Sequence, residues 1–393
     1  MSNIQISDHV RYIGVDDKTI QLFESQYNVP NGVSYNSYLI LDDKIAVMDT
    51  VDARATEEWL ANLEAALDGR TPDYLVVLHM EPDHSASIHR AAEKYPEMQI
   101  VGNAKTFPMI AQFFPLCLEG RTVVVKEGDT LSLGNHTLQF FMAPMVHWPE
   151  VMVAYEQTEK LLFSADGFGK FGTLDTDEPW LEESRRYYIN IVGKYGAQVQ
   201  ALLKKASGLD IAKICPLHGP ILDKDLGYYL EKYDTWSRYE PEDKGILIAC
   251  ASIHGHTMMA AQKLAELLRE KTSLPVVVAD LCRDDMAKCV SDAFRYSHLV
   301  VACATYNGGL FPPMEAFLSH IKAKNYQKRT VGIVENGTWA PTAAKQMKAA
   351  FEGMKEIRLA QPVVSVKSAI NDASIAELDA LAQACLLYTS RCV

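Results

Sequence analysis

Four metal-binding side chains fall within six positions of this chain, His79, Glu81, Asp83 and His84, and Pro82 stiffens the turn between them. Imidazole nitrogens and carboxylate oxygens together make a ligand set for first-row transition metals. His79 and Glu81 stand two residues apart and can point the same way, whereas Asp83 and His84 continue toward a neighbouring point in space. That alternation suits two metal ions better than one. Three more ligand types close apolar runs just ahead of a turn residue: His147 after residues 142–146 and before Pro149, Asp166 after 161–165 and before Gly167, and His218 after 213–217 and before Gly219. Taken singly, a His at a strand end is more often a hydrogen-bonding residue than a ligand, and an Asp before Gly is more often a turn residue. Four such residues in six positions are far harder to explain that way. His9, His89, His136, His298 and His320 stand alone and are read as ordinary structural residues.

A second set of residues offers different chemistry. Ser252, Ile253, His254, Gly255, His256 and Thr257 follow the apolar run 246–250 and open a helical pattern. Hydroxyls and backbone N–H groups at a helix amino end form an anion site, and Gly255 lets the backbone approach a phosphate closely. Alone, the same residues also fit a plain capped turn. Their setting adds two more loops: Ala304, Thr305, Tyr306, Asn307, Gly308 and Gly309 after the run 299–303, and Asn336, Gly337, Thr338, Trp339 and Ala340 after 331–334. Loops after the first, third and fourth strands of a doubly wound sheet meet where the strand order reverses. Tyr306 and Trp339 would give aromatic faces to a flat ring there, and the glycines leave backbone groups free to bond its edge.

The elements that must position these residues follow from periodicity. Residues 74–77 are β-branched and aromatic and read as a buried strand, which puts residues 78–88 on the loop at its carboxyl end. Residues 35–41 and 45–49 flank Asp42-Asp43-Lys44 as a hairpin, and 151–155 with 161–164 form another. A helix over 87–95, a strand at 99–101, strand and turn material over 122–141, one long amphipathic helix over 182–206 and a strand at 213–217 complete a first half expected to fold as two sheets between helix layers. Composition changes at residues 238–245, charged and carrying Pro241 and Gly245, so the expected domains are 1–243 and 244–393. Beyond that point five apolar runs (246–250, 276–279, 299–303, 331–334, 362–366) alternate with five helical segments (257–271, 285–296, 312–322, 341–351, 374–385), the pattern of a doubly wound parallel sheet. Residues 386–393 do not continue the last helical pattern and are expected to be a frayed or extraneous tail.

With 393 residues, 48% of them hydrophobic, the chain can build two full cores. A net charge of −12 argues against nucleic acid or an anionic membrane as partner. No apolar run is long enough to span a bilayer, and residues 1–14 lack a basic segment followed by an apolar one, so a cytoplasmic protein is expected. The eight cysteines include no Cys-x-x-Cys pair and several sit in apolar strands, which predicts reduced thiols and no rubredoxin-type iron site within this sequence.

His-x-Glu-x-Asp-His, then His147 after 62 intervening residues, Asp166 after 18 and His218 after 51, resembles the flavodiiron proteins, or A-type flavoproteins. These join a metallo-β-lactamase-like αβ/βα sandwich to a flavodoxin-like domain, and the resemblance covers about residues 4–384. Hydrolases of that superfamily carry His-x-His-x-Asp-His and usually bind zinc. Glu81 stands at their second His, a more anionic site that favours iron. The resemblance implies one iron on His79, Glu81 and His147, a second on Asp83, His84 and His218, and Asp166 as a bridge. It also implies FMN in the three loops, with His254 standing where flavodoxins commonly have Thr. The implied activity is reduction of O₂ to water, NO to N₂O, or both, by a head-to-tail homodimer, possibly a dimer of dimers, that takes electrons from rubredoxin or a similar donor. Trp148 and Tyr195 are expected to line the gas pocket. Two rival readings remain: a zinc-dependent hydrolase with a flavodoxin-like appendage, and an electron carrier whose metal cluster is only structural.

Overall fold

Short β-branched and aromatic runs give short strands here. The computed structural model describes residues 4–387, so most of the tail singled out above, 388–393, lies outside the described residues, while Leu386 still belongs to the helix Asp372–Leu386. The chain folds into two compact units, one running through Tyr188 with Ala197–Asp234, the other comprising Ile189–Gly196 and the chain from Thr235.

The first unit holds two mixed sheets. One has the strand order Val10–Tyr12, Tyr38–Ile40, Ala46–Met48, Tyr74–Val76, Gln99–Gly102, Thr122–Val124, antiparallel across the first three and parallel thereafter. The other runs Thr130–Ser132, Thr137–Met142, Met152–Glu156, Leu161–Phe163, Lys213–Cys215, with only the last pair parallel. Both expected hairpins form, pairing Tyr38 with Met48 and Ala154 with Phe163. The sheets meet through apolar side chains: the Tyr38 ring lies 5.4 Å from that of Phe163, and its hydroxyl donates to the Pro216 carbonyl. Helices Thr56–Leu67, Thr106–Phe113 and Leu226–Ser237 add to the expected elements. Trp59 on the first of these is fully buried, its indole N–H on Ser37.

Residues 182–206 do not form one helix. An α-helix, Trp180–Tyr187, gives way to a wide π turn over Tyr188–Val192 and a tight turn over Gly193–Tyr195 before Gly196–Ala206 resumes. Ile189, Ile191 and Val192 are weak helix formers, and the break falls on them. At Gly196 a Cβ would collide with the Ser237 carbonyl oxygen, so only glycine lets the backbone pass there.

The second unit is a parallel sheet ordered Val276–Asp280, Asp243–Ala251, Tyr296–Tyr306, Arg329–Asn336, with Ile357–Leu359 and Val364–Val366 both pairing on the last. This is the 2-1-3-4-5 doubly wound order. Helix His256–Lys271 buries Ala260, Ala261, Leu264, Ala265 and Leu268 in the core, the spacing of a single apolar stripe. The sequence pattern missed Ile357–Leu359 and the two-residue strand Gly309–Leu310, too short to register as periodicity. The described cysteines are all free thiols. Among the described residues no helix is long and apolar enough to cross a membrane.

Candidate metal centre and loop cleft

Strand Tyr74–Val76 feeds the metal-binding motif directly. His79 follows outside the strand, Glu81 is extended, and Pro82 takes the first position of a one-turn helix, Pro82–Ser85, so Asp83 and His84 sit on that helix turn instead of a loop. The turn is pinned from several sides. Thr50 donates from both its N–H and its hydroxyl to the His84 carbonyl, Ser85 donates to the Met80 carbonyl, and Asp49 accepts from the N–H groups of Leu78 and His79.

All seven expected ligand residues converge, in two groups. His79, Glu81, His147 and Asp166 form one, Asp83, His84 and His218 the other, with ligand atoms in each within 4.8 Å of one another. In the first, His147 Nε2 is 2.9 Å from Glu81 Oε2 and 3.2 Å from Asp166 Oδ2, and His79 Nε2 is 3.4 and 3.3 Å from the same two oxygens. In the second, His84 Nε2 is 3.3 Å from Asp83 Oδ2 and 3.2 Å from Asp166 Oδ1, and His218 Nε2 is 3.1 Å from Asp83 Oδ2. Asp166 thus turns one oxygen to each group. Two ligands about 2.1 Å from a shared first-row ion and about 90–110° apart lie roughly 3.0–3.4 Å from each other. The separations given above match that spacing closely, while His218 Nε2 stands farther, 3.9 Å, from Asp166 Oδ1.

Hydrogen bonds on the outer edges orient the rings. His79 Nδ1 donates to Glu150 Oε1 at 2.9 Å, and His218 Nδ1 donates to the Ser34 carbonyl at 2.7 Å. Each neutral ring then points an Nε2 lone pair inward. His84 Nε2 and His218 Nε2 face each other at 3.0 Å, two lone pairs that repel unless a proton or a cation stands between them. His79 Nε2, His147 Nε2 and both oxygens of Asp83 and of Asp166 are buried with no hydrogen-bond partner, as expected of groups shaped to hold cations. Electrostatics agree. Burial works against a charged His147, yet Asp166 and Glu81 outweigh it and push the imidazole up to about 9. Burial likewise opposes ionisation of Glu81 and Asp166, but the surrounding imidazoles hold both carboxyls well below the usual range. The site demands positive charge.

Aromatic rings enclose it. Trp148 packs edge-on at 5.5 Å from His79, and Phe23, Tyr187 and Tyr35 lie 5.4, 5.5 and 6.2 Å from His218. Tyr195, expected beside Trp148, belongs to the second unit, where its ring takes the Lys194 ammonium. Glu150 was not singled out in the sequence, where it is one acid beside Pro149, and only the fold brings it under His79.

In the second unit the three expected loops line a cleft of about 620 Å³, within the usual range for a cofactor site. Ser252, Ile253, His254, His256, Thr257, Ala304, Thr305, Tyr306, Asn307, Gly308, Asn336, Gly337, Thr338, Trp339 and Ala340 all border it, and Ser368 joins them. Gly255 and Gly309 do not line the wall. Gly255 instead caps helix His256–Lys271 in the left-handed region, φ 92°, with open space where a Cβ would stand, and Gly309 pairs with Tyr306. Thr305 Oγ1 is already taken by the N–H groups of Thr342 and Ala343, and Asn336 bonds the Ser368 backbone through both ends of its amide, so these two shape the cleft. Trp339 is 81% exposed and Tyr306 42%. Large exposed aromatic faces beside a helix amino end fit a flat ring carrying a phosphate.

A family model described as ODP family beta lactamase matches residues 33–219, the stretch that holds every residue of the metal cluster. The anaerobic nitric oxide reductase flavorubredoxin of Vibrio vulnificus is 28% identical over 360 residues, 88% of this chain and 72% of that protein. The rubredoxin oxygen:oxidoreductase structure from Desulfovibrio gigas superposes with a TM-score of 0.90 at 27% identity, covering 97% of each chain. The flavodiiron protein of Giardia intestinalis shares the fold, with a TM-score of 0.89 at 24% identity over 99% of this chain and 98% of that one.

Proposed function

Since the chain belongs to the flavodiiron protein family, we propose that it reduces O₂ to water, NO to N₂O, or both, using two iron ions and an FMN. The observation that carries this reading is Asp166, one oxygen facing each ligand group. One relative is named a nitric oxide reductase and another an oxygen oxidoreductase, which supports both gases as substrates. When bound, two ferrous ions and a reduced FMN supply four electrons, the number that converts O₂ to water, while forming one N₂O from two NO takes two.

The chain's own residues do the rest. His79, Glu81 and His147 would hold one ion, Asp83, His84 and His218 the other, and Asp166 both. Glu150 and the Ser34 carbonyl fix the ring orientations that make this possible. Trp148, Phe23 and Tyr187 exclude bulk water around the rings, which strengthens every interaction inside. Glu24, on the turn between Leu22–Phe23 and Tyr27–Asn28, would serve as a proton source: desolvation and then the Glu81 carboxylate push its carboxyl up to about 7. In the cleft, the amino end of helix His256–Lys271 would take the FMN phosphate, and Tyr306 and Trp339 would face its ring system.

Electrons would come from rubredoxin or a similar donor, and a head-to-tail homodimer would bring one subunit's flavin to the partner's metals. A zinc hydrolase is the weaker reading, because Glu81 makes the ligand set more anionic and hydrolysis gives the loop cleft no task. His79→Ala separates the alternatives. Lost gas consumption with full flavin absorbance is expected, and unchanged turnover would refute the assignment.

A further inference from the structure

Behind the metal cluster, in the same unit, lies a small apolar cavity bordered by Val146, Val153, Leu162, Phe168, Val199 and Leu203. Its free space is about 30 Å³, some twice the roughly 10–15 Å³ that one water needs. A two-atom molecule fits. Two of its walls are the neighbours of metal-cluster residues, since Val146 precedes His147 and Gly167 and Phe168 follow Asp166.

The pocket opens in part to the surface past the half-buried Leu202, Leu203 and Leu209, but its inner wall offers water few partners. Water persists in a protein interior only where it finds two to four polar partners. Here the polar groups are already engaged: the Ser164 hydroxyl donates to the Gly167 carbonyl, the Phe168 N–H donates to the Tyr233 hydroxyl, and the Phe168 carbonyl accepts from the Trp180 indole. Lys205 borders the cavity too, but its ammonium is bound to Glu127 and the Met142 carbonyl. Phe168 is held in the left-handed region, φ 68°, a conformation bulky residues rarely adopt. Those two backbone bonds and a ring packed, tilted, 4.2 Å from that of Tyr233 hold it there. The strained residue is the one that forms the wall next to Asp166.

We propose that this cavity is a holding site for a dissolved, uncharged diatomic gas, from which the molecule reaches the space between the two ligand groups. The inference rests on the gas-reduction reading above. An uncharged diatomic gains from leaving water for an apolar void and loses no hydrogen bonds in doing so.

Xenon is the probe, because it binds dry apolar cavities without reacting. Crystals of the iron- and FMN-loaded protein pressurised with xenon should show it among these six side chains. Val199→Leu adds about one methylene to the void, and Leu203→Phe fills it from a half-buried position should the first variant fold poorly. Either should abolish the xenon site and slow reoxidation of the reduced protein several-fold at low O₂ or low NO, with the rate at saturating gas and the metal and flavin contents unchanged. An effect on one gas alone identifies which one the cavity serves. No xenon in an active wild-type enzyme, or xenon lost with the low-gas rate intact, would overturn the holding site alone. Xenon bound in a protein that consumes neither gas would overturn the gas-reduction reading, and the cavity's role with it.

Discussion

Glu150→Gln tests whether the ring orientation of His79 is set from behind. Glu150 is 1% exposed, and its Oε1 accepts from His79 Nδ1 at 2.9 Å and from the Met80 N–H at 2.8 Å. Burial disfavours its charge, but these donors outweigh that and hold the carboxyl below its ordinary range, so it acts as an anion. Gln preserves shape and acceptor while removing the charge. A hydrogen bond to a charged partner contributes about 1.5–3 kcal/mol against about 0.5–1.5 for a neutral one, a loss of roughly 1–1.5 kcal/mol here. Because that bond fixes the tautomer presenting Nε2 to the metal, the loss falls on metal affinity, about 10-fold. Glu150→Ala leaves the Met80 N–H, 3.0 Å from His79 Nδ1, to donate to that nitrogen, which favours the tautomer carrying its proton on Nε2, and should approach a 100-fold loss. The assay is competition between metal-depleted protein and a chromophoric chelator, with FMN absorbance as the control for intact folding. Affinities within twofold of wild type for both variants would refute the reasoning.

Glu24→Gln should change the pH dependence of turnover. The acid form donates below about 7, so the wild-type rate should fall as pH rises through that value, and a variant whose profile keeps the same inflection would remove Glu24 from the role. Asp166→Asn, which leaves only one oxygen able to bind a cation, should lower bound iron from two toward one per chain by metal analysis, and two tightly held ions would contradict the bridge. Trp339→Ala should weaken FMN binding about 10-fold by fluorescence titration, from lost ring contact of about 0.5–1.5 kcal/mol plus buried area, with iron content unaffected. Gly255→Val places a β-branched residue at φ 92°, at a cost of about 1–2 kcal/mol, and should likewise release FMN while sparing iron.

The candidate ligands were legible because they follow apolar strands closely: His79, Asp166 and His218 stand three residues beyond Val76, Phe163 and Cys215, while His147 lies in the turn five beyond Met142. His79, His147, Asp166 and His218 each follow such a run, and the structure gathers all four with Glu81, Asp83 and His84. The one-turn helix Pro82–Ser85 was hidden by its length, although Pro82 at its first position was the available signal. Glu150, Ser34, Phe23 and Tyr187 were not legible. They reach the histidines by long-range packing between elements far apart in the chain, and nothing in their local sequence marks them. Gly255 shows a subtler limit. A glycine at a helix start predicted close approach to a phosphate, and the structure adds that this glycine caps the helix in the left-handed region, φ 92°. The close pass of Gly196 by the Ser237 carbonyl, just after the broken helix, is likewise encoded in no helical periodicity.

The most direct test is a single-turnover count. Protein loaded with two irons and one FMN per chain is fully reduced without oxygen, freed of reductant, and titrated with O₂ and separately with NO. For each gas the protein reduces, the expected result is consumption of about one O₂ per chain without hydrogen peroxide, or about four NO per chain with two N₂O formed, as two ferrous ions and one reduced flavin require. Consumption of neither gas, peroxide as the O₂ product, or an unchanged count after His79→Ala would contradict a diiron and flavin site that reduces these gases.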